Sequence, residues 1–479
     1  MRAAAARREA AAPRAVVASS KDEFVLLPVE RLAALIRAKR LSPVELVRRY
    51  LERIERLNPL LNAYITVTGE SARAEARGAE QEIAHGRWRG PLHGIPIAVK
   101  DNIWTRGVRT TAGSKILSNF VPEQDATVVA RLRTAGAILL GKTHLHEFAF
   151  GVTSNNVHFG PARNPYDLAR IPGGSSGGSA IAVAAGMCAA AVGTDTGGSI
   201  RIPAALCGVT GFKPAFGTVP MDGIVPLCAS LDHCGPIART LRDAALLYQA
   251  MRGDSRARTT RRRSPGRLRV GWPDDYFFER LAPEVMDAVE TAMRVFKKCG
   301  VRITKVKLAK VSAANRASLP IALAEAYQYH REAGYFPARA AEYSEDVRAR
   351  LEKGAGITAA DYLDARAVVA RATQEFLQCE HRVDALLAPT VPIPAPQIGE
   401  ERVTVGGAEE EVRGALLRLC RPANLWGAPA ISIPCGATPE GLPIGLQLIG
   451  FEGREEALWQ LAKMYEGATE WHVRRPELA

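Results

Sequence analysis

The stretch from residue 173 to 199, GGSSGGSAIAVAAGMCAAAVGTDTGGS, constrains this chain more than any other. Two glycine-serine loops, 173–178 and 193–199, bracket a run of alanines and other small apolar residues. Glycine reaches backbone conformations that side chains resist, and it lets the main chain approach a ligand closely. A glycine-rich turn can therefore aim several backbone N–H groups at one point, as an oxyanion hole requires. The run between the loops, 179–192, is too short to span a bilayer and reads as a buried helix.

Around this segment helical and extended patterns alternate. Ser42-Pro43-Val44-Glu45 combines a capping box with proline at the first helical position. Leu46, Val47, Tyr50, Leu51 and Ile54 then recur on one face until Asn58-Pro59 ends the helix. Residues 72–85 and 125–135 read as helices, and 95–100 and 137–140 as strands, so Lys100 closes a strand. Helices follow at 283–299, 359–379 and 455–466, with a proline-rich loop at 388–396 and strands at 430–434 and 442–449. This order predicts an α/β architecture with a largely covered sheet. The late strands are too few to form a separate unit, so one large domain is expected over 23–479. Residues 1–22 carry arginines but no apolar core of a signal peptide, and are expected to be a disordered extension.

Composition excludes several classes. Hydrophobic residues make up 47% and charged residues 24%, which suits a soluble chain with a sizeable core. No apolar run is long enough for a membrane span. The eight cysteines are scattered without a C-x-x-C pair or zinc-ligand spacing, which fits free thiols in a reducing cytoplasm and implies no metal. A net charge of +13 invites a nucleic-acid partner, but much of the excess lies in the N-terminal tail and in 256–269, RARTTRRRSPGRLR. That stretch lacks interleaved aromatics and reads as a solvated loop, so no nucleic-acid partner is expected.

The glycine loops admit simpler readings. Neither has the Gly-Lys-Ser/Thr ending of a phosphate-binding loop. Gly173-x-Ser175-x-Gly177 matches the form of a nucleophile elbow, yet residues 164–172 before it are loop rather than strand. From the glycines alone, a plain connector remains open.

Longer blocks narrow this. GGSSGGSAIAVAAGMCAAAVGTDTGGSIRIPA (173–204), GPLHGIPIAVKDNI (90–103), ASLDHCGPIART (229–240) and PANLWGAPAISIPCG (422–436) together resemble the amidase signature family, in order and from about Leu41 to Glu466. The resemblance implies a large mixed β-sheet covered by helices on both faces, in a single domain. It makes Lys100 the base, Ser175 a proton relay held by a cis peptide bond, and Ser199 the nucleophile. Backbone N–H groups of Thr196, Gly197, Gly198 and Ser199 would form the oxyanion hole. Ser176, Asp195 and Arg201 would support the loop, and Gly174 would lie against the substrate. The chemistry is coherent. A lysine in water, with a pKa of about 10.4, cannot act as a base at neutral pH, but burial penalises the ammonium and lowers that value. Neutral Lys100 could then draw a proton through Ser175 as Ser199 attacks a carbonyl. No metal or organic cofactor is implied.

Rival bases carry less weight. His93, His144, His146, His158 and His233 fall in matching blocks where the family mechanism uses none, and Lys142 reads as structural. A binding protein that has lost its chemistry would have no reason to keep Lys100, Ser175 and Ser199 together. Within the family, the glutaminase subunit of a tRNA-dependent amidotransferase is the main alternative, with a carbamoyl or ureido hydrolase as another. Arg350 resembles the glutaminase subunit's carboxylate-binding arginine. The acid expected shortly before PANL is missing from 414–421, GALLRLCR, and a basic, apolar segment would repel an ammonium group. The expectation is therefore a stand-alone cytoplasmic amidase acting on a small-molecule amide, with a homodimer left open. Residues 315–355 and 388–426 should build the pocket, with Trp426 as a wall. Tyr327, Tyr329 and His330 fit a helix packing face better than a substrate site.

Overall fold

Eleven strands share one mixed sheet in the computed structural model, which describes residues 24–253, 268–273 and 275–478. The expected extension 1–22 lies outside the described residues, as does the basic stretch up to residue 267. Arg269, assigned to that loop from sequence, instead opens the strand Arg269–Pro273. Across the sheet, one half runs Tyr64–Val67, Ile138–Thr143, Pro96–Lys100, Ala190–Asp195, His233–Ala238 and Thr210–Lys213. The other half continues Ala430–Ala437, Pro443–Ile449, Ala385–Pro389, Arg269–Pro273 and Arg302–Val306.

Parallel pairing occurs in two places: where Arg269–Pro273 meets Ala385–Pro389 and Arg302–Val306, and at Pro96–Lys100, where the site forms. Pro96–Lys100 runs parallel to both neighbours, with Ile97, Ala98 and Val99 opposite Ala190, Ala191 and Val192. This register brings Lys100 and Thr194 to the same end of adjacent strands. Parallel strands need crossover connections with helices on the faces, which is why these strands are buried along their whole length.

Two sequence expectations need correction. The run 179–192 is not one helix. The helix Gly177–Ala184 stops, Gly186 takes φ +65°, and the chain re-enters the sheet as Ala190–Asp195. Both halves are fully buried, so neither shows the one-sided periodicity that separates helix from strand. The first long helix, Pro43–Leu61, also passes through Pro59 rather than ending there. Leu57 and Leu61 are buried, and Asn58 closes the end by accepting the Tyr64 N–H at 2.8 Å. Ser42 caps the start by accepting from Val44 and Glu45, whereas Glu45 turns to Arg48 and Arg49. An additional helix, Val29–Arg37, precedes it.

Seven of the eight cysteines are buried and all are free thiols. Among the described residues, no helix is long and apolar enough to cross a membrane, and no group of three or more His, Cys, Asp or Glu side chains could hold a metal ion.

Candidate active site

Lys100 is fully buried at the end of its strand, and its Nζ lies 2.8 Å from Ser175 Oγ and 2.7 Å from Thr194 Oγ1. Burial pushes the amine down to about 7, against the opposing pull of Asp232 and Asp195. The lysine is thus partly neutral near neutrality.

Ser175 sits in the first glycine loop after a cis Gly174–Ser175 peptide bond. Ser154 braces this loop, its Oγ donating to the Gly173 carbonyl at 2.9 Å. A side chain on Gly174 would meet the Ser154 backbone N at 2.9 Å, so the close approach requires glycine. Ser176 joins the two loops. Its N–H donates to the Ser199 carbonyl at 3.2 Å, and its Oγ donates to the Thr194 carbonyl at 3.1 Å.

The second loop is shaped by one carboxylate. Asp195 accepts the N–H groups of Gly198 at 2.8 Å and Ile200 at 3.1 Å, and both its oxygens meet the Arg201 guanidinium. Burial alone would raise its pKa, but Arg201 holds it well below the usual carboxylate range. Arg201 is itself fully buried and reaches the Cys420 carbonyl, Gln447 and Asn424. One ion pair therefore ties the glycine turn to distant parts of the chain.

Ser199, Thr196 and Gly197 line a cavity with Phe150, Leu417, Arg413 and Arg421 among its other walls. Within the described residues, the N–H groups of Thr196, Gly197 and Ser199 make no hydrogen bond and remain available to a ligand oxygen. The Gly198 N–H, expected as a further donor, is given to Asp195 instead. Gly198 serves the turn through its φ of +128°, beside Cys420 and Ile202.

The sequence matches the amidase family model over residues 45–459. The chain belongs to the amidase signature family. It is an amidase-family hydrolase, and its mixed sheet is that of solved amidases. A crystal structure of an amidase superposes with a TM-score of 0.87 at 36% identity, covering 93% of this chain and 100% of the other. The native peptide amidase from Stenotrophomonas maltophilia gives a TM-score of 0.80 at 31% identity, covering 94% and 98%. A relative from Methylobacillus flagellatus, the A-subunit of a glutamyl-tRNA(Gln) amidotransferase, is 39% identical over 94% of this chain and 98% of its own length. Stand-alone amidases and amidotransferase subunits are thus both similar to this amidase.

Other residues singled out from sequence lie further from the cavity. Arg350 donates to the Phe150 carbonyl at 2.6 Å and pairs with Asp346 at 2.8 Å, behind the cavity wall. Trp426 stacks on Phe376 with ring centroids 4.3 Å apart, in the core rather than on the cavity lining. His330 bonds the Tyr343 hydroxyl at 2.8 Å and packs edge-on against Phe148, while Ser318 and Ala322 of the same helix reach the cavity. Lys142 holds the Ile103 carbonyl and Thr110 beside Asp101. Among the described residues, no histidine ring bonds either serine. His144 meets the Gly160 carbonyl, His158 meets Glu147, and burial lowers His144 to about 4.

Sequence reasoning missed four supports. Thr194 is the second partner of the Lys100 amine. Asp232 accepts from Thr196 Oγ1 and from the Leu227 and Cys228 N–H groups, and burial raises its pKa to about 6. Asn424 and Gln447 hold Arg201. Thr194, Asp232 and Asn424 lie inside the family blocks, so the signal was present, but nothing in the sequence says which polar residue faces which.

Proposed function

We propose that this amidase hydrolyses a small carboxamide through an acyl-enzyme on Ser199, with Ser175 relaying a proton to Lys100. The observation carrying this reading is the buried Lys100–Ser175 contact of 2.8 Å, in a loop stitched to that of Ser199. Neutral Lys100 accepts the Ser175 hydroxyl proton while Ser175 takes the Ser199 proton, and Ser199 Oγ bonds the carbonyl carbon. The developing oxyanion is met by the open N–H groups of Thr196, Gly197 and Ser199. Collapse breaks the C–N bond, and the leaving nitrogen takes the proton back along the same relay. A water, deprotonated the same way, then bonds the acyl carbon; the Ser199 Oγ–acyl bond breaks, Ser199 takes the proton back along the relay, and the acid leaves. Ammonia or amine release from a panel of aliphatic, aryl, amino-acid and ureido amides tests this reading, and labelling of Ser199 by a fluorophosphonate locates the nucleophile. Absence of both would sink it.

We favour a stand-alone amidase over an amidotransferase component. Among the described residues, the cavity lining holds no carboxylate to receive the ammonium group of free glutamine. The similarity to amidotransferase subunits supports the second reading, a glutaminase working with partner chains. Preference for glutamine, with turnover that depends on an added partner, would establish that reading instead.

A further inference from the structure

We infer that Arg413 and Arg421 form an anion subsite beside Ser199, so the substrate is an amide that also carries a carboxylate. This inference rests on the acyl-enzyme reading only in placing the amide over Ser199. Both arginines line the same cavity as Ser199. Arg421 packs directly on the glycine turn, its Nε 3.6 Å from where a side chain on Gly197 would begin. The Arg413 guanidinium lies over the Phe150 ring at 5.9 Å.

Neither guanidinium makes a hydrogen bond or an ion pair with any described residue. The buried arginines Arg201 and Arg418 are, by contrast, spent: Arg201 on Asp195, and Arg418 on the carbonyls of Glu279 and Arg280. Arg350, close by, is neutralised by Asp346, which also takes His146 at 3.1 Å. Burial lowers Arg413 to about 9, with Arg350 and Arg421 adding like-charge repulsion, and burial lowers Arg421 to about 10. Both stay charged at neutral pH. Two half-buried cations that face one cavity with no protein acceptor favour an anion there. A guanidinium presents planar, forked donors that match a carboxylate. Leu227, Leu231 and Leu417 supply apolar walls for a short carbon chain between the carboxylate and the amide.

The test pairs monoamides of malonic, succinic and glutaric acid with the corresponding neutral diamides, using the full chain. At least one monoamide should exceed its diamide about tenfold or more in kcat/KM. R413Q and R421Q should each collapse that ratio about tenfold, chiefly through KM, and R413K and R421K should restore part of it. Calorimetry with the three free dicarboxylates reads the subsite independently of turnover, with binding expected in wild type and lost in the Gln variants. Equal or better use of the neutral diamides, or absence of dicarboxylate binding to wild type, overturns the subsite. If Ser199 still takes a fluorophosphonate in that case, the acyl-enzyme reading survives. Dicarboxylate binding without any labelling would do the reverse.

Discussion

Lys100 and Ser175 stand 75 residues apart in the chain, yet their Nζ and Oγ atoms lie 2.8 Å apart with both side chains fully buried. The contact joins a strand end to a glycine loop, and neither segment could hold the other's group alone. Burial serves two ends here. It lowers the amine to about 7, and it fixes which hydroxyls that amine meets, those of Ser175 and Thr194.

The pH dependence follows from the sign of that shift. The amine is charged below about 7 and neutral above it. The competent form therefore dominates on the alkaline side, and kcat/KM should fall about tenfold per pH unit below that value. A pH–rate profile checks this, and a flat profile from weakly acid to alkaline pH counts against the lysine. Lys100→Ala should lower kcat by about a thousandfold or more and abolish this limb of any residual activity.

Ser199→Ala should remove activity by about a thousandfold or more while leaving the fold intact. The Ser199 hydroxyl has no hydrogen-bond partner among the described residues, so its loss orphans nothing. Turnover and thermal melting measured together decide this: a melting temperature within a few degrees of wild type is expected, and turnover near wild type would move the nucleophile elsewhere.

Breaking the Asp195–Arg201 pair should be costly. Both side chains are fully buried at 3.0 Å, so Arg201→Met or Asp195→Asn leaves an uncompensated charge worth about 3–5 kcal/mol in a denaturant titration. Asp195 has a depressed pKa in the fold. Its stabilising contribution is thus complete above the unfolded value of about 3.9 and is lost as pH falls through the lower folded value. Asp195→Asn should flatten this part of the acid-denaturation curve, and an unchanged curve would argue against the pair as its source.

Gly198→Ala tests the shape of the turn. At φ +128° any side chain is strained, and the new Cβ would lie 2.5 Å from Cys420 Cβ. Activity should drop at least a hundredfold and the melting temperature should fall. Wild-type values in both assays would show that the turn adapts.

Much of the candidate site was legible in the sequence. The glycine loops, the strand ending at Lys100 and the block order carried the family and the α/β class, because close backbone approach and strand ends leave local signatures. The helix expected over 179–192 shows where local signal fails. Gly177–Ala184 and Ala190–Asp195 are equally apolar and equally buried, so no periodicity marks the change from one to the other.

The sequence by itself determined the chemistry available: two hydroxyls in glycine loops, an amine that burial could neutralise, and a turn that only glycine can make. Tertiary structure decided how those groups are used. It gave the Gly198 N–H to Asp195, turned Trp426 into the core, paired Arg350 with Asp346 and left Arg413 and Arg421 facing the Ser199 cavity. The physical reason is that residue type sets what a group can do. The energy of a buried charge or donor depends on its neighbours, and those come from segments far apart in the chain.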